Sequence, residues 1–131
     1  MIFTGKVLIV DDEPHVRKYI GLILRSLGAT ALIEAADGVE GVERYKQERP
    51  DLVMLDVNMP IQDGIETLKQ IPTLDPEATV IMLTSLSIRQ TIEAAAEHGA
   101  LHYLRKDTSR DELVGLLKEL LSEDPEDPAT A

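Results

Sequence analysis

Asp51-Leu52-Val53-Met54-Leu55-Asp56-Val57-Asn58-Met59-Pro60 is the stretch on which the fold turns. Its apolar run from Leu52 to Leu55 is unbroken, whereas a strand with one wet face would alternate apolar and polar residues. The run is short and is stopped by an acid, then by Asn58 and Pro60. It therefore reads as a strand covered on both faces, as strands are in a parallel sheet flanked by helices.

Comparable runs recur on either side of it. Candidate strands are Lys6–Val10, 30–35, Leu52–Asp56, 79–84 and 101–105. Helical periodicity fills the intervals. The first helix covers about 14–27, with Val16, Ile20, Ile23 and Leu27 on one face, Pro14 in its first turn and Gly28 just past its end. The second spans about 39–48, after an Asp37-Gly38 turn. The third spans about 65–74 and is expected to break or end near Pro72 and Pro76, and the fourth spans about 88–98. The fifth follows Ser109, which stands three residues before Glu112 as in a capping box.

Five βα units imply a parallel sheet with helices on both faces, because βα crossovers are right-handed. A closed eight-fold barrel would need about twice this length. The expected fold is thus α/β, a doubly wound five-stranded parallel sheet of strand order 2-1-3-4-5, the flavodoxin-like (βα)5 arrangement. Residues 1–121 form the expected domain. Residues 122–131 are acidic and carry no apolar anchor, so a disordered tail is expected there.

Composition narrows the function. Thirteen basic against 24 acidic residues leave a net charge of −11, which repels a nucleic-acid backbone. No apolar run approaches the ~20 residues that cross a bilayer. There is no cysteine, hence no disulfide and no thiolate zinc site. A cytoplasmic protein with no nucleic-acid and no membrane partner is expected.

Ligands of open α/β sheets bind beyond the carboxyl ends of the strands. Strand one here ends in Asp11-Asp12, strand three in Asp56, strand four in Thr84-Ser85 and strand five in Arg105-Lys106. Carboxylates held within a few ångströms repel, by about 4 kcal/mol for a pair 4 Å apart at an effective dielectric near 20. A hard divalent cation relieves this. With no Cys and no paired His, magnesium fits best, and it commonly shares phosphate oxygens. A carboxylate is a competent nucleophile for phosphoryl transfer, and Asp56 on the central strand is the best placed. Lys106 and Thr84 supply charge and a hydrogen bond for phosphate oxygens. Taken singly, Asp11-Asp12 could merely cap a helix, and Asp56 could merely form a turn. His15, His98 and His102 show no metal-ligand spacing.

Four segments together resemble the response-regulator receiver domains of two-component systems. They are Val7-Leu-Ile-Val-Asp-Asp-Glu-Pro14, the opening stretch with Asp63-Gly64, Val80-Ile-Met-Leu-Thr-Ser85, and Gly99-Ala-Leu-His-Tyr-Leu-Arg-Lys106. The resemblance implies that Asp56 accepts the phosphoryl group. It implies that Asp12, Asp56 and the backbone carbonyl of Asn58 ligate Mg2+ directly, with Asp11 acting through water. Thr84 and Lys106 would follow the phosphoryl group, and Tyr103 would be an aromatic switch. The donor would be a sensor histidine kinase or a histidine phosphotransfer protein. The output would be a downstream effector bound at the face of helix four, strand five and helix five. With no output domain in the chain, a stand-alone receiver is expected, catalysing only its own phosphorylation and dephosphorylation.

The chain departs from the family pattern in one place. Asp107 stands where proline usually follows the lysine. A trans bond is therefore expected, since a cis non-proline bond costs about 2.5–4 kcal/mol. Asp107 is also expected to compete for the Lys106 ammonium. Two other readings stay open at this stage: an aspartate-nucleophile phosphatase of the haloacid dehalogenase type, and a degenerate receiver acting only as an interaction module.

Overall fold

Every residue of the central strand is buried, as its unbroken apolar run requires. In the computed structural model, which describes residues 4–57, 59, 63–74, 79–84, 89–98, 100 and 102–121, strands and helices alternate throughout. The order is β1 (Lys6–Val10), α1 (Pro14–Ser26), β2 (Ala31–Ala35), α2 (Gly38–Glu48), β3 (Leu52–Asp56), α3 (Gly64–Leu74), β4 (Val80–Thr84), α4 (Arg89–Glu97), β5 (His102–Arg105) and α5 (Arg110–Leu121). All strand pairs are parallel and the sheet order is β2-β1-β3-β4-β5, as expected.

The strand period of two divides each run between two cores. Val7, Ile9, Leu52, Met54, Ile81 and Leu83 pack with Ile20, Ile23 and Leu24 of α1 and Leu113, Leu117 and Leu121 of α5. Leu8, Val10, Val53, Leu55, Val80 and Met82 point the other way, to Tyr45 of α2, Leu68 and Ile71 of α3 and Ala95 of α4. A buried leucine or isoleucine contributes about 1.5–3 kcal/mol, so these two layers supply the drive to fold.

Helix starts follow their capping residues. Asp37 Oδ1 accepts from Glu40 N at 2.8 Å, and Glu40 Oε1 accepts from Ala36 N at 2.8 Å, a reciprocal cap that sets α2 one residue earlier than expected. Glu112 N donates to Ser109 Oγ at 3.3 Å at the head of α5, as the Ser–Glu spacing implied. After α1, Gly28 takes φ 119°, a left-handed conformation open to glycine. As expected, α3 ends at Leu74, between Pro72 and Pro76. A proline this close to a helix end removes a single late hydrogen bond, which the remaining turn survives. The expected tail, 122–131, lies outside the described residues.

Candidate functional site

The parallel ladder delivers the candidate residues to one edge. Val10 pairs with Leu55, Asp56 with Leu83, and Thr84 with Arg105. Beyond the strands, the ladder continues for one residue at each position. Asp11 N donates to Ala35 O at 3.0 Å, Val57 N to Leu83 O at 3.1 Å, and Lys106 N to Thr84 O at 2.7 Å. Asp11, Asp56 and Lys106 are thus fixed by backbone pairing before any side chain acts.

One oxygen from each of Asp11, Asp12 and Asp56 lies within 4.8 Å of the other two. Asp11 and Asp56 are buried, while Asp12 is exposed. Lys106 reaches into the group, with Nζ 2.7 Å from Asp11 Oδ2 and 3.2 Å from Asp56 Oδ1. A fourth acid closes the circle, Glu13 Oε1 lying 3.1 Å from Lys106 Nζ. Three carboxylates, those of Asp11, Glu13 and Asp56, thus surround one ammonium.

The electrostatic consequences are large. Burial, reinforced by the Asp11 and Asp12 charges and only partly opposed by Lys106, pushes the Asp56 carboxyl up from 3.8 to about 7. Burial works against the Lys106 charge, but pairing with Asp11 and the charge of Asp56 outweigh it and hold this ammonium above the usual lysine range. Asp56 Oδ2 is buried and has no hydrogen-bond partner among the described residues. A buried oxygen left unpaired is costly, and a cation set between these carboxylates would satisfy it. The donor set is all oxygen, so the residues present fit a hard ion such as Mg2+.

The other expected residues fall as follows. Thr84 is buried at the end of β4, one residue beyond the partner of Asp56. Tyr103 is half-buried on β5 and packs against the layer that holds Leu55 and Met82. Asn58 lies outside the described residues. The Lys106–Asp107 bond is trans, since no cis peptide occurs among the described residues. The competition expected from Asp107 is not found. Its carboxylate is gripped by Arg105 instead, Oδ2 at 2.6 Å from Nη2 and Oδ1 at 2.9 Å from Nε. A bidentate guanidinium outcompetes a neighbouring ammonium that is already ringed by three other acids.

Three contributors escaped the sequence reading. Glu13 was visible only as a third acid after Asp11-Asp12, and nothing local ties it to a lysine far along the chain. Arg17 Nη1 donates to the Asp11 carbonyl at 2.7 Å while its Nε donates to Glu34 at 2.7 Å, so β2 steadies the loop that bears the acidic pair. Gly64 N donates to Val57 O at 2.7 Å, and a Cβ at Gly64 would overlap the Asp56 carbonyl oxygen. The Asp63-Gly64 pair was legible as a motif, but the close approach behind it was not.

Comparison with known proteins agrees with this geometry. The family model described as the response regulator receiver domain matches residues 7–118. The chain is 41% identical over 101 residues to Protein CcdB of Bacillus subtilis, covering 77% of this chain and 84% of that one. It is 38% identical over 118 residues to the chemotaxis protein CheY of Treponema pallidum, covering 88% and 82% respectively. Among solved structures, a chain of the CheX-CheY-BeF3-Mg+2 complex from Borrelia burgdorferi is similar, with a TM-score of 0.80 and 35% identity over 86% of each chain.

Proposed function

This chain belongs to the response regulator receiver family of two-component systems, and from that premise we propose that Asp56 is its phospho-acceptor. The observation that carries the reading is a buried carboxylate at the end of the central strand, facing one lysine and two further acids. A carboxylate oxygen of Asp56 attacks phosphorus in a phosphohistidine of a sensor kinase or phosphotransfer protein. The oxygen–phosphorus bond forms as the phosphorus–nitrogen bond breaks, and the imidazole nitrogen leaves with the electron pair. Water later cleaves the acyl phosphate, returning Asp56 and inorganic phosphate. The chain's catalysis is confined to these two steps on itself.

Asp12, Asp56 and the Asn58 carbonyl would hold Mg2+ directly, with Asp11 behind them. When bound, the ion offsets charge on the acids and on the phosphoryl oxygens. Lys106 pairs with one phosphoryl oxygen, and the Thr84 hydroxyl donates to another. Movement of Thr84 gives Tyr103 room to turn inward, which reshapes the face of α4, β5 and α5 for a downstream protein. Residues 1–121 act as the receiver unit, with 122–131 as an acidic appendage, and this unit works in the cytoplasm. Among the described residues no helix is long and apolar enough to cross a membrane.

The test is intact mass after incubation with acetyl phosphate and Mg2+. The wild-type chain gains one phosphoryl group and Asp56→Asn gains none while keeping its fold. An undiminished gain in the variant would place the acceptor elsewhere.

A further inference from the structure

Lysine has three N–H donors. Around Lys106 Nζ stand three carboxylate oxygens, Asp11 Oδ2 at 2.7 Å, Glu13 Oε1 at 3.1 Å and Asp56 Oδ1 at 3.2 Å. Each of these oxygens competes with a phosphoryl oxygen for the ammonium, the Asp11 contact through charge alone and the Glu13 contact through a hydrogen bond. Asp11 is fully buried, and its other oxygen, Oδ1, is tied to Glu13 N at 2.8 Å. Asp56 would carry the phosphoryl group itself. Glu13 is the member that can leave. Its side chain is 47% exposed, so water can take over its carboxylate, and His15 Nε2 lies 4.0 Å from its second oxygen.

The backbone of Glu13 cannot follow such a departure. Its carbonyl accepts from Val16 N at 3.0 Å and Arg17 N at 3.2 Å at the head of α1. Its N–H is held by Asp11, and Pro14 follows it. Only the side chain swings. Glu13 also lies outside the cluster of Asp11, Asp12 and Asp56, so a cation seated there leaves Glu13 still competing for Lys106.

We propose that Glu13 is a positioning residue that holds the Lys106 ammonium in the unphosphorylated protein and must release it before Lys106 can engage the phosphoryl group. Glu13 thereby lowers the phosphorylated fraction. The inference rests on the reading of Asp56 as acceptor.

Two variants separate contact from charge. Glu13→Gln keeps the length and removes the charge, whereas Glu13→Asp keeps the charge and loses a methylene of reach. For each, the phosphorylated fraction at fixed acetyl phosphate and the affinity for beryllofluoride are measured, both at saturating Mg2+. The second readout is an equilibrium with no bond to break. Both variants are expected to raise both quantities, by roughly 1.5- to 5-fold, the range of a single partly exposed ion pair. Unchanged or lowered values in Glu13→Gln overturn the proposal. So does a Glu13→Asp protein that matches wild type while Glu13→Gln rises, because the effect would then be a through-space field rather than a held contact. If wild type and both variants all fail to take a phosphoryl group, the assignment of Asp56 falls and this inference falls with it. Failure of the Glu13 proposal alone shows only in the ratio of variant to wild type.

Discussion

Asp56 is held in a place that opposes its charge. Its carboxyl loses a proton at 3.8 in the unfolded chain and at about 7 in the folded one. Between those values the folded state keeps a proton that the unfolded state has released, so folding is favoured most at the acid end. Stability from this group should fall as pH rises from about 4 to about 7 and level off above that. At ~1.4 kcal/mol per pH unit, the loss approaches about 4 kcal/mol in metal-free buffer. Urea unfolding across this range in EDTA should show the decline in wild type and a much flatter profile in Asp56→Asn. Equal slopes in the two proteins would mean that Asp56 is not the strained carboxyl. Saturating Mg2+ should suppress the decline, because the ion favours the charged form.

At the scale of elements, α3 is placed by a contact that admits no side chain. Gly64 begins the helix against the backbone of Asp56 and Val57, and its N–H bonds to Val57 O at 2.7 Å. Asp63 caps the same turn, Oδ1 accepting from Glu66 N at 2.9 Å. Gly64→Ala should therefore push α3 away from the end of β3. The expected outcome is a lower melting temperature and weaker Mg2+ binding, since the displaced backbone is that of Asp56. A loss of about 1–3 kcal/mol is the usual cost of such overpacking. Full retention of Mg2+ affinity would show that the helix can shift without disturbing the acid. By contrast, Gly115 on α5 faces open space, so Gly115→Ala serves as the control that adds a methyl group without crowding.

For the whole molecule, the acidic cluster links folding to metal. A ligand that binds only the folded state stabilises it by about 2.7 kcal/mol at one hundred times its dissociation constant. Mg2+ should therefore raise the melting temperature in a concentration-dependent way. Asp12→Ala should shrink that rise while leaving metal-free stability unchanged or slightly higher, because Asp12 is an exposed acid beside two buried ones. Thermal melts with and without Mg2+ decide the matter. A rise of the same size and midpoint in Asp12→Ala would remove Asp12 from the ligand set.

The sequence by itself determined the element order, the parallel sheet and the edge at which the chemistry gathers. Those follow from local properties: the unbroken run Leu52 to Leu55, the alternating stretches of helical period, the turn at Asp37-Gly38, the cap at Ser109, and the acids that end the strands. What only the tertiary structure decided are meetings between residues remote in the chain or free to choose among partners. Glu13 finds Lys106 across 93 positions. Arg105 takes Asp107 for itself, although the sequence placed that acid directly beside Lys106. Gly64 is required because two backbones pass within a side chain's width, a distance that no periodicity encodes. Periodicity reports which face of an element is buried. Side-chain torsions and through-space distances choose the partner, and they exist only once the chain has folded.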